Sequence, residues 1–354
     1  MNKNILSNAA GKTSGILGMK TLFILLCASS ALQSTSLHGI ENETEEDIPM
    51  DANPSEEIGA FDASSLIQKP MSSQEIQLPV PALDLRPPRN TFFAVGLSSL
   101  LPGLGHVYLG DMKTAGGLIG GTGVGIGCAS FLHSKIPRGT SLLIVQNIWA
   151  YGIYAAYRDV RINNGQSGYS YQMPTDSFAD LTSAPFRWSV LKKPEVWGGL
   201  LGKFALIGVV SYLSLPKETH AHSSRSLKRR VSPLVAFPVG VGEEALFRGF
   251  LQSQLSEFFN PWVSITLSSL AFGAVHITNA RDFEPEKQRY YYTHAIPIIT
   301  AAGAYYGWLA YKNHSLKESV ALHTWYDFIL LTVGSLVGQA AITGCSKFSF
   351  TVPF

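Results

Sequence analysis

The chain has 354 residues, of which 46% are hydrophobic and only 15% are charged, and its formal net charge at pH 7 is +2. Soluble globular proteins carry about 25% charged residues, so this composition favours a protein in contact with lipid. The small net charge and the lack of an arginine-rich or aromatic nucleic-acid module argue against nucleic acid as a partner. The three cysteines show neither metal-ligand spacing nor a disulfide framework.

The first 90 residues divide into two segments of different character. Residues 1–32 place lysines before a short apolar run, Thr21 to Leu32, which predicts a signal peptide or a signal anchor. Residues 33–90 are first acidic and then proline-rich, with few large apolar side chains. Such a segment cannot bury enough surface to offset its ordering entropy, so a disordered linker is predicted.

From Thr91 onward, long apolar runs predict an all-α, multi-pass transmembrane helical bundle, and therefore an integral membrane protein whose first partner is the bilayer. Each run has about 20 residues, enough to cross a hydrocarbon core of about 30 Å. About eight membrane segments are predicted, at 91–109, 115–133, 139–157, 194–215, 232–253, 259–279, 292–312 and 317–338. We assign 91–190 to N-terminal glycine-rich membrane helices, 191–340 to a second helical domain and 341–354 to a C-terminal tail.

The topology stays open at this point. The loop 216–231 is rich in lysine and arginine, which predicts a cytoplasmic location. Cleavage of the signal would place residues 33–90 on the opposite side, which conflicts with eight simple crossings. A re-entrant glycine-rich segment is the alternative.

Ionisable residues interrupt the apolar runs near the C-terminal end of the chain. They are Glu243, Glu244, Arg248, His276, His323 and Asp327. Each such group at the centre of a membrane helix costs about 2.5–3.5 kcal/mol on insertion scales, so the cluster needs a function or compensating partners. Successive helical residues are rotated by about 100°, so Glu244 and Arg248 share one face and can pair, whereas Glu243 faces another direction. His323 and Asp327 are likewise one turn apart.

Two glutamates and two histidines from three helices favour hydrolysis, most naturally of an amide. A carboxylate can act as a general base toward water, and imidazoles can bind a metal ion that acidifies that water. The zinc-protease motif His-Glu-x-x-His is missing, so metal ligands would have to come from separate helices. In the alternative interpretation, each histidine is a satisfied core residue and the Glu–Arg pair is a structural clasp.

Three motifs in this order resemble the CPBP family of intramembrane metalloproteases, which includes the type II CAAX prenyl endopeptidases. The family pattern is Glu-Glu-x-x-x-Arg, then Phe-x-x-x-His, then His-x-x-x-Asn or Asp. This chain carries Glu243-Glu244-x-x-x-Arg248, Phe272-x-x-x-His276 and His323-x-x-x-Asp327. The resemblance covers the domain at 191–340 and implies nothing for the residues before it.

The resemblance implies a role for each motif residue. Glu243 and His276 would activate the attacking water, either directly or through a zinc ion held by Glu243, His276 and His323. His323 and Asp327 would stabilise the oxyanion or complete the metal site, and Glu244 with Arg248 would brace their helix. Asp327 departs from the commoner Asn, which favours a ligand role over an oxyanion role. In straight parallel helices His276 and His323 would differ in depth by about 9 Å, so we expect a broken or tilted helix.

The expected function is therefore an intramembrane metalloendopeptidase that cleaves a membrane-associated peptide or protein, with or without a lipid modification. Two other classes stay open. One is a catalytically silent membrane scaffold or binding protein of the same fold. The other is a proton-coupled transporter that uses the buried Glu and His groups as a relay, although no inverted repeat is visible in the sequence.

Overall fold

The computed structural model describes residues 88–165, 171–214, 232–280, 283 and 285–342. These residues all belong to one compact unit, Lys69–Phe354. The predicted signal segment at 1–32, the linker up to residue 87 and the tail from residue 343 lie outside the described residues.

The described part of the chain is all-helical, which confirms the predicted fold class. The α-helices are α1 Thr91–Leu100, α2 Leu104–Leu109, α3 Met112–Phe131, α4 Lys135–Asn163, α5 Phe178–Ser183, α6 Trp188–Leu191, α7 Pro194–Ser214, α8 Ala236–Glu244, α9 Ser253–Leu255, α10 Pro261–His276, α11 Pro285–Tyr290, α12 Ile296–Asn313 and α13 Lys317–Ile342. Two further segments are π-helical, Ala245–Gln252 after α8 and Tyr291–Ala295 before α12. Single 3₁₀ turns occur at Ala184–Phe186, Pro233–Val235 and Ile277–Ala280.

All eight predicted segments overlap helices. Overlap with a helix does not by itself show that a segment crosses a membrane. Among the described residues, one helical stretch, Pro261–Ala280, is both long and apolar enough to span a membrane by length and composition. Glycines in α3 and the ionisable residues of α8 and its π-helical continuation lower the mean hydropathy of those segments. The count of eight spans therefore stays a prediction.

The segment predicted at 91–109 consists of two helices, because the chain breaks between α1 and α2. Gly103 has a φ of 96°, a left-handed backbone conformation that residues with a Cβ rarely adopt, and Pro102 precedes it. The break lets Gly105 pack directly against the backbone of Ala94, where any side chain would collide. The motif Pro-Gly-x-Gly therefore encodes a helical corner.

The long helix α4 connects the N-terminal helices to the rest of the structure. It packs against α3 on one side and against α8 and the following π-helical segment on the other. Near its end, Arg161 forms a buried ion pair with Glu257, at 3.3 Å between Nη2 and Oε1. Breaking such a pair leaves an uncompensated charge, so it restrains the end of the π-helical segment.

The start of α13 is held by residues from the segment before α5. Asp176 accepts hydrogen bonds from the Leu316 amide at 2.7 Å and from the Ser315 hydroxyl at 3.1 Å. Lys317 Nζ lies 3.0 Å from the same carboxylate. The next residue, Glu318, pairs with Lys193 at 2.5 Å. These contacts position the helix that carries His323 and Asp327.

Candidate functional site

The two adjacent glutamates lie where an α-helix becomes a π-helix. Glu243 and Glu244 end α8, and the π-helical segment begins at Ala245. π-Helical turns occur frequently at functional sites, because the wider turn shifts side chains relative to an ordinary helix. Gly242 allows the close approach of α4, since a Cβ at this position would collide with Asn147.

Glu244 and Arg248 form the ion pair that their spacing predicts. Arg248 Nη1 lies 3.0 Å from Glu244 Oε1, and both side chains are shielded from solvent. Arg248 Nη2 also donates to the carbonyl of Gly303 in α12 at 3.1 Å. A side chain at Gly303 would press on this guanidinium, which explains the need for glycine here. The pair thus connects the glutamate helix with α12.

His323 is surrounded by three carboxylates. Its Nδ1 lies 2.8 Å from Glu244 Oε1, and its Nε2 lies 3.3 Å from Asp327 Oδ2 and 3.7 Å from Glu243 Oε2. Because both ring nitrogens face carboxylate oxygens, an imidazolium at this position can donate a hydrogen bond from each side. Glu244 therefore contacts both Arg248 and His323. The sequence predicted only its contact with Arg248.

His276 ends α10 and joins the cluster through Phe272. Its Nδ1 lies 2.7 Å from the Phe272 carbonyl oxygen, so Nδ1 carries the proton and Nε2 has the lone pair in the neutral ring. The Phe272 ring lies 4.7 Å from the ring of His276 and 5.9 Å from that of His323. Both imidazoles therefore contact one aromatic ring. The helix of His323 is continuous, and the irregular turns lie at Ala245–Gln252 and Tyr291–Ala295.

The predicted zinc ligands do not form a recognisable metal centre. Among the described residues, no group of three or more His, Cys, Asp and Glu side chains is placed so that it could hold a metal ion. His323, the predicted ligand nearest to other carboxylates, has both nitrogens directed at acidic oxygens. The binding of zinc by Glu243, His276 and His323 therefore stays a prediction.

Sequence reasoning missed two residues of this cluster. The ring of Tyr306 stacks on that of His323 at 5.0 Å between centroids, with an interplanar angle of 19°. Lys203 in α7 donates to the Tyr306 hydroxyl at 2.7 Å. Lys203 is an ionisable residue in an apolar run, so the criterion that identified the other six also applies to it. Lys203 lies in the predicted segment 194–215, which precedes the segments that contain the other six residues.

The site thus brings acidic, imidazole and guanidinium groups together between helices. In the comparison with known families, residues 229–329 match the model of the Rce1-like family, described as type II CAAX prenyl endopeptidase Rce1-like. This family consists of membrane-embedded proteases, and the match contains all six of the predicted site residues. No curated protein and no solved structure showed significant similarity to the chain.

Proposed function

We infer that the chain is a multi-pass intramembrane endopeptidase that hydrolyses a peptide bond with water activated by Glu243. The observation that supports this most directly is the position of Glu243, whose Oε2 lies 3.7 Å from His323 Nε2. The Glu243 side chain is 22% exposed, whereas Glu244 is fully enclosed. One carboxylate is thus accessible to a water molecule and the other is committed to Arg248.

Glu243 is the general base of the proposed reaction. Its carboxylate takes a proton from water while the water oxygen bonds to the peptide carbonyl carbon. The Phe272 carbonyl holds Nδ1 of His276, so the Nε2 lone pair of the neutral ring offers a second acceptor for the same water molecule. The protonated Glu243 then gives its proton to the departing amine as the C–N bond breaks. The products are a carboxylic acid and an amine, and Glu243 returns to the carboxylate.

His323 is the donor for the oxyanion that forms on the carbonyl oxygen. Its Nε2 lies 3.3 Å from Asp327 and 3.7 Å from Glu243, so an N–H at this nitrogen can be shared with a negative charge that develops beside Glu243. Glu244 accepts from Nδ1 on the opposite side of the ring and orients it. Asp327 stabilises the cationic ring. A carboxylate cannot itself donate to an oxyanion, so we assign Asp327 to this supporting role.

The membrane environment of the proposed enzyme follows from its surface. Large apolar side chains on several helices face outward, among them Leu100 at 78% exposure, Phe131 at 81% and Leu201 at 66%. Such a surface is unfavourable in water and is typical of membrane contact. The substrate is proposed to be a membrane-associated peptide or protein, and the family match adds a lipid-modified peptide as the first class to test.

The test is peptide cleavage in liposomes that contain the purified full-length protein. Prenylated and unmodified versions of one peptide are incubated in H₂¹⁸O, and the products are weighed by mass spectrometry. Hydrolysis adds one ¹⁸O to the new carboxyl group. Cleavage with ¹⁸O incorporation supports the proposal, and the ratio of the two peptides shows whether the lipid is required. No cleavage of either peptide, with binding retained, would favour the scaffold, and proton-coupled uptake into the liposomes would favour the transporter.

A further inference from the structure

A lysine from outside the family match lies at the edge of the site. Lys203 belongs to α7, and its partly buried ammonium donates to the Tyr306 hydroxyl at 2.7 Å. The same ammonium lies 3.3 Å from the centre of the Tyr326 ring. An ammonium at the face of an aromatic ring is attracted by the ring quadrupole, so Tyr326 holds Lys203 in this position.

Tyr306 connects this lysine with His323. The tyrosine is buried, and its ring is nearly parallel to the imidazole at 5.0 Å. Arg248 lies over the same tyrosine, at 5.3 Å from the ring centre. With its hydroxyl held by Lys203 and its ring in contact with Arg248 and His323, Tyr306 has little freedom to rotate. The plane of the imidazole is then fixed by the plane of the tyrosine.

Lys203 also contributes to the charge balance of the cluster. It interacts electrostatically with Glu243, Glu244 and Asp327. Three carboxylates in a low-dielectric site repel each other unless cations compensate them, and Arg248 is hydrogen-bonded to only one of them. Lys203 thus adds a second basic side chain, beside Arg248, to the surroundings of these acidic groups.

We propose that Lys203 is a positioning residue of the hydrolytic site, which acts through Tyr306 to fix the orientation of His323. The inference rests on the proposed function and adds to it a residue from a helix outside the matched domain. Lys203 touches neither Glu243 nor His323 through a hydrogen bond in the described contacts, so its effect on the reaction is indirect. Misplacement of a catalytic group by about 1 Å can reduce the rate about 100-fold, so the expected loss is measurable.

The experiment compares Lys203→Met, Tyr306→Phe and the double variant in full-length protein. Lys203→Met should lower kcat by about 10- to 100-fold with little change in KM. Lys203 acts on His323 through Tyr306, so the two substitutions should not have additive effects. The kcat of the double variant should be no lower than the kcat of the less active single variant. Lys203→Arg should recover part of kcat, since it retains both the charge and a donor.

The matched control is Lys312→Met. Lys312 also lies over an aromatic ring, at 5.1 Å from the centre of Trp308, and it pairs with Glu195 at 3.1 Å. Its side chain is 46% exposed and it belongs to none of the contacts around His323. The control should leave kcat unchanged, which separates a local effect from the general loss of a lysine–aromatic contact.

A second readout does not depend on activity. The ring protons of His323 experience the ring current of Tyr306, and their NMR resonance can be assigned by its loss in His323→Gln. The resonance should shift in Lys203→Met and stay in place in Lys312→Met. If the wild-type protein cleaves no peptide but the His323 resonance shifts in Lys203→Met, the proposed function is rejected and the positioning of His323 by Lys203 is retained. An unchanged resonance, or unchanged kcat in Lys203→Met accompanied only by lower thermal stability, would overturn the inference.

Discussion

Glu244 accepts a hydrogen bond from His323 through the same oxygen that pairs with Arg248, at 2.8 Å from Nδ1 of the imidazole and 3.0 Å from the guanidinium. One buried carboxylate oxygen therefore joins the structural ion pair to the imidazole that faces Glu243. Changes at Arg248 should consequently reach His323, although the arginine lies one helical turn away from the proposed base.

Arg248→Ala should destabilise the protein strongly. Removing one partner of a buried ion pair leaves the other charge uncompensated, at a cost of about 3–5 kcal/mol. The thermal unfolding midpoint in detergent should fall, and the amount of folded protein in the membrane with it. The double variant Glu244→Gln/Arg248→Met should recover part of the stability, because it removes both charges. A stable Arg248→Ala protein that has merely lost activity would show that Arg248 acts in the chemistry.

The capping box of α5 should make part of the stability pH-dependent. The hydroxyl and then the amide of Ser177 donate to the Asp180 carboxylate, at 2.7 and 3.2 Å, which lowers the pKa of Asp180 to about 2. The unfolded value is about 3.9, so the folded state binds the proton more weakly. The stabilisation is complete above the unfolded pKa and is lost as the pH falls from about 5 to about 2.

The measurement is the unfolding midpoint of wild type and Asp180→Asn between pH 7 and pH 2. The wild type should be more stable at pH 7, and the difference should narrow as the pH falls. The effect should be modest, because the Asp180 side chain is 35% exposed and solvent screens its interactions. A difference that stays constant over this range would reject the assignment of the pH dependence to Asp180.

Metal removal should leave cleavage intact. In the proposed reaction the Glu243 carboxylate itself takes the proton from water, so no metal ion is needed to acidify that water. Protein dialysed against a strong chelator should keep its activity, and its zinc content should be well below one per chain. Loss of activity that added Zn²⁺ restores, with less bound zinc in His276→Ala and His323→Ala, would establish the zinc site that the family resemblance implies.

The sequence predicted the helical architecture, because apolar runs are visible without coordinates. It also showed ionisable residues inside those runs, and the structure joins five of the six candidate site residues in ion pairs. The spacing of Glu244 and Arg248 predicted their pair, which the structure contains. The bond from His323 to Glu244 joins residues far apart in the chain, so no local pattern encodes it. The stacking of Tyr306 on His323 depends on the packing of α12 against α13 and was equally out of reach.

The break at Gly103 shows a different limit of sequence reasoning. The apolar run at 91–109 predicted a segment of membrane length, and Pro102 and Gly103 stand inside it. The pattern of hydropathy does not report φ, and the left-handed backbone at Gly103 decides the geometry. Here the local turn residues were better evidence than the length of the apolar run.

The most direct test of the account is the activity of Glu243→Gln beside Glu286→Gln in the same liposomes. Glutamine keeps the shape of the side chain but cannot take a proton, and removal of a general base costs about 10²–10⁴-fold in rate. Glu286 is exposed in α11 and serves as the matched control. We expect Glu243→Gln to be folded and at least about 100-fold slower in single-turnover cleavage, with Glu286→Gln at the wild-type rate. A folded Glu243→Gln protein that cleaves at the wild-type rate would contradict the account.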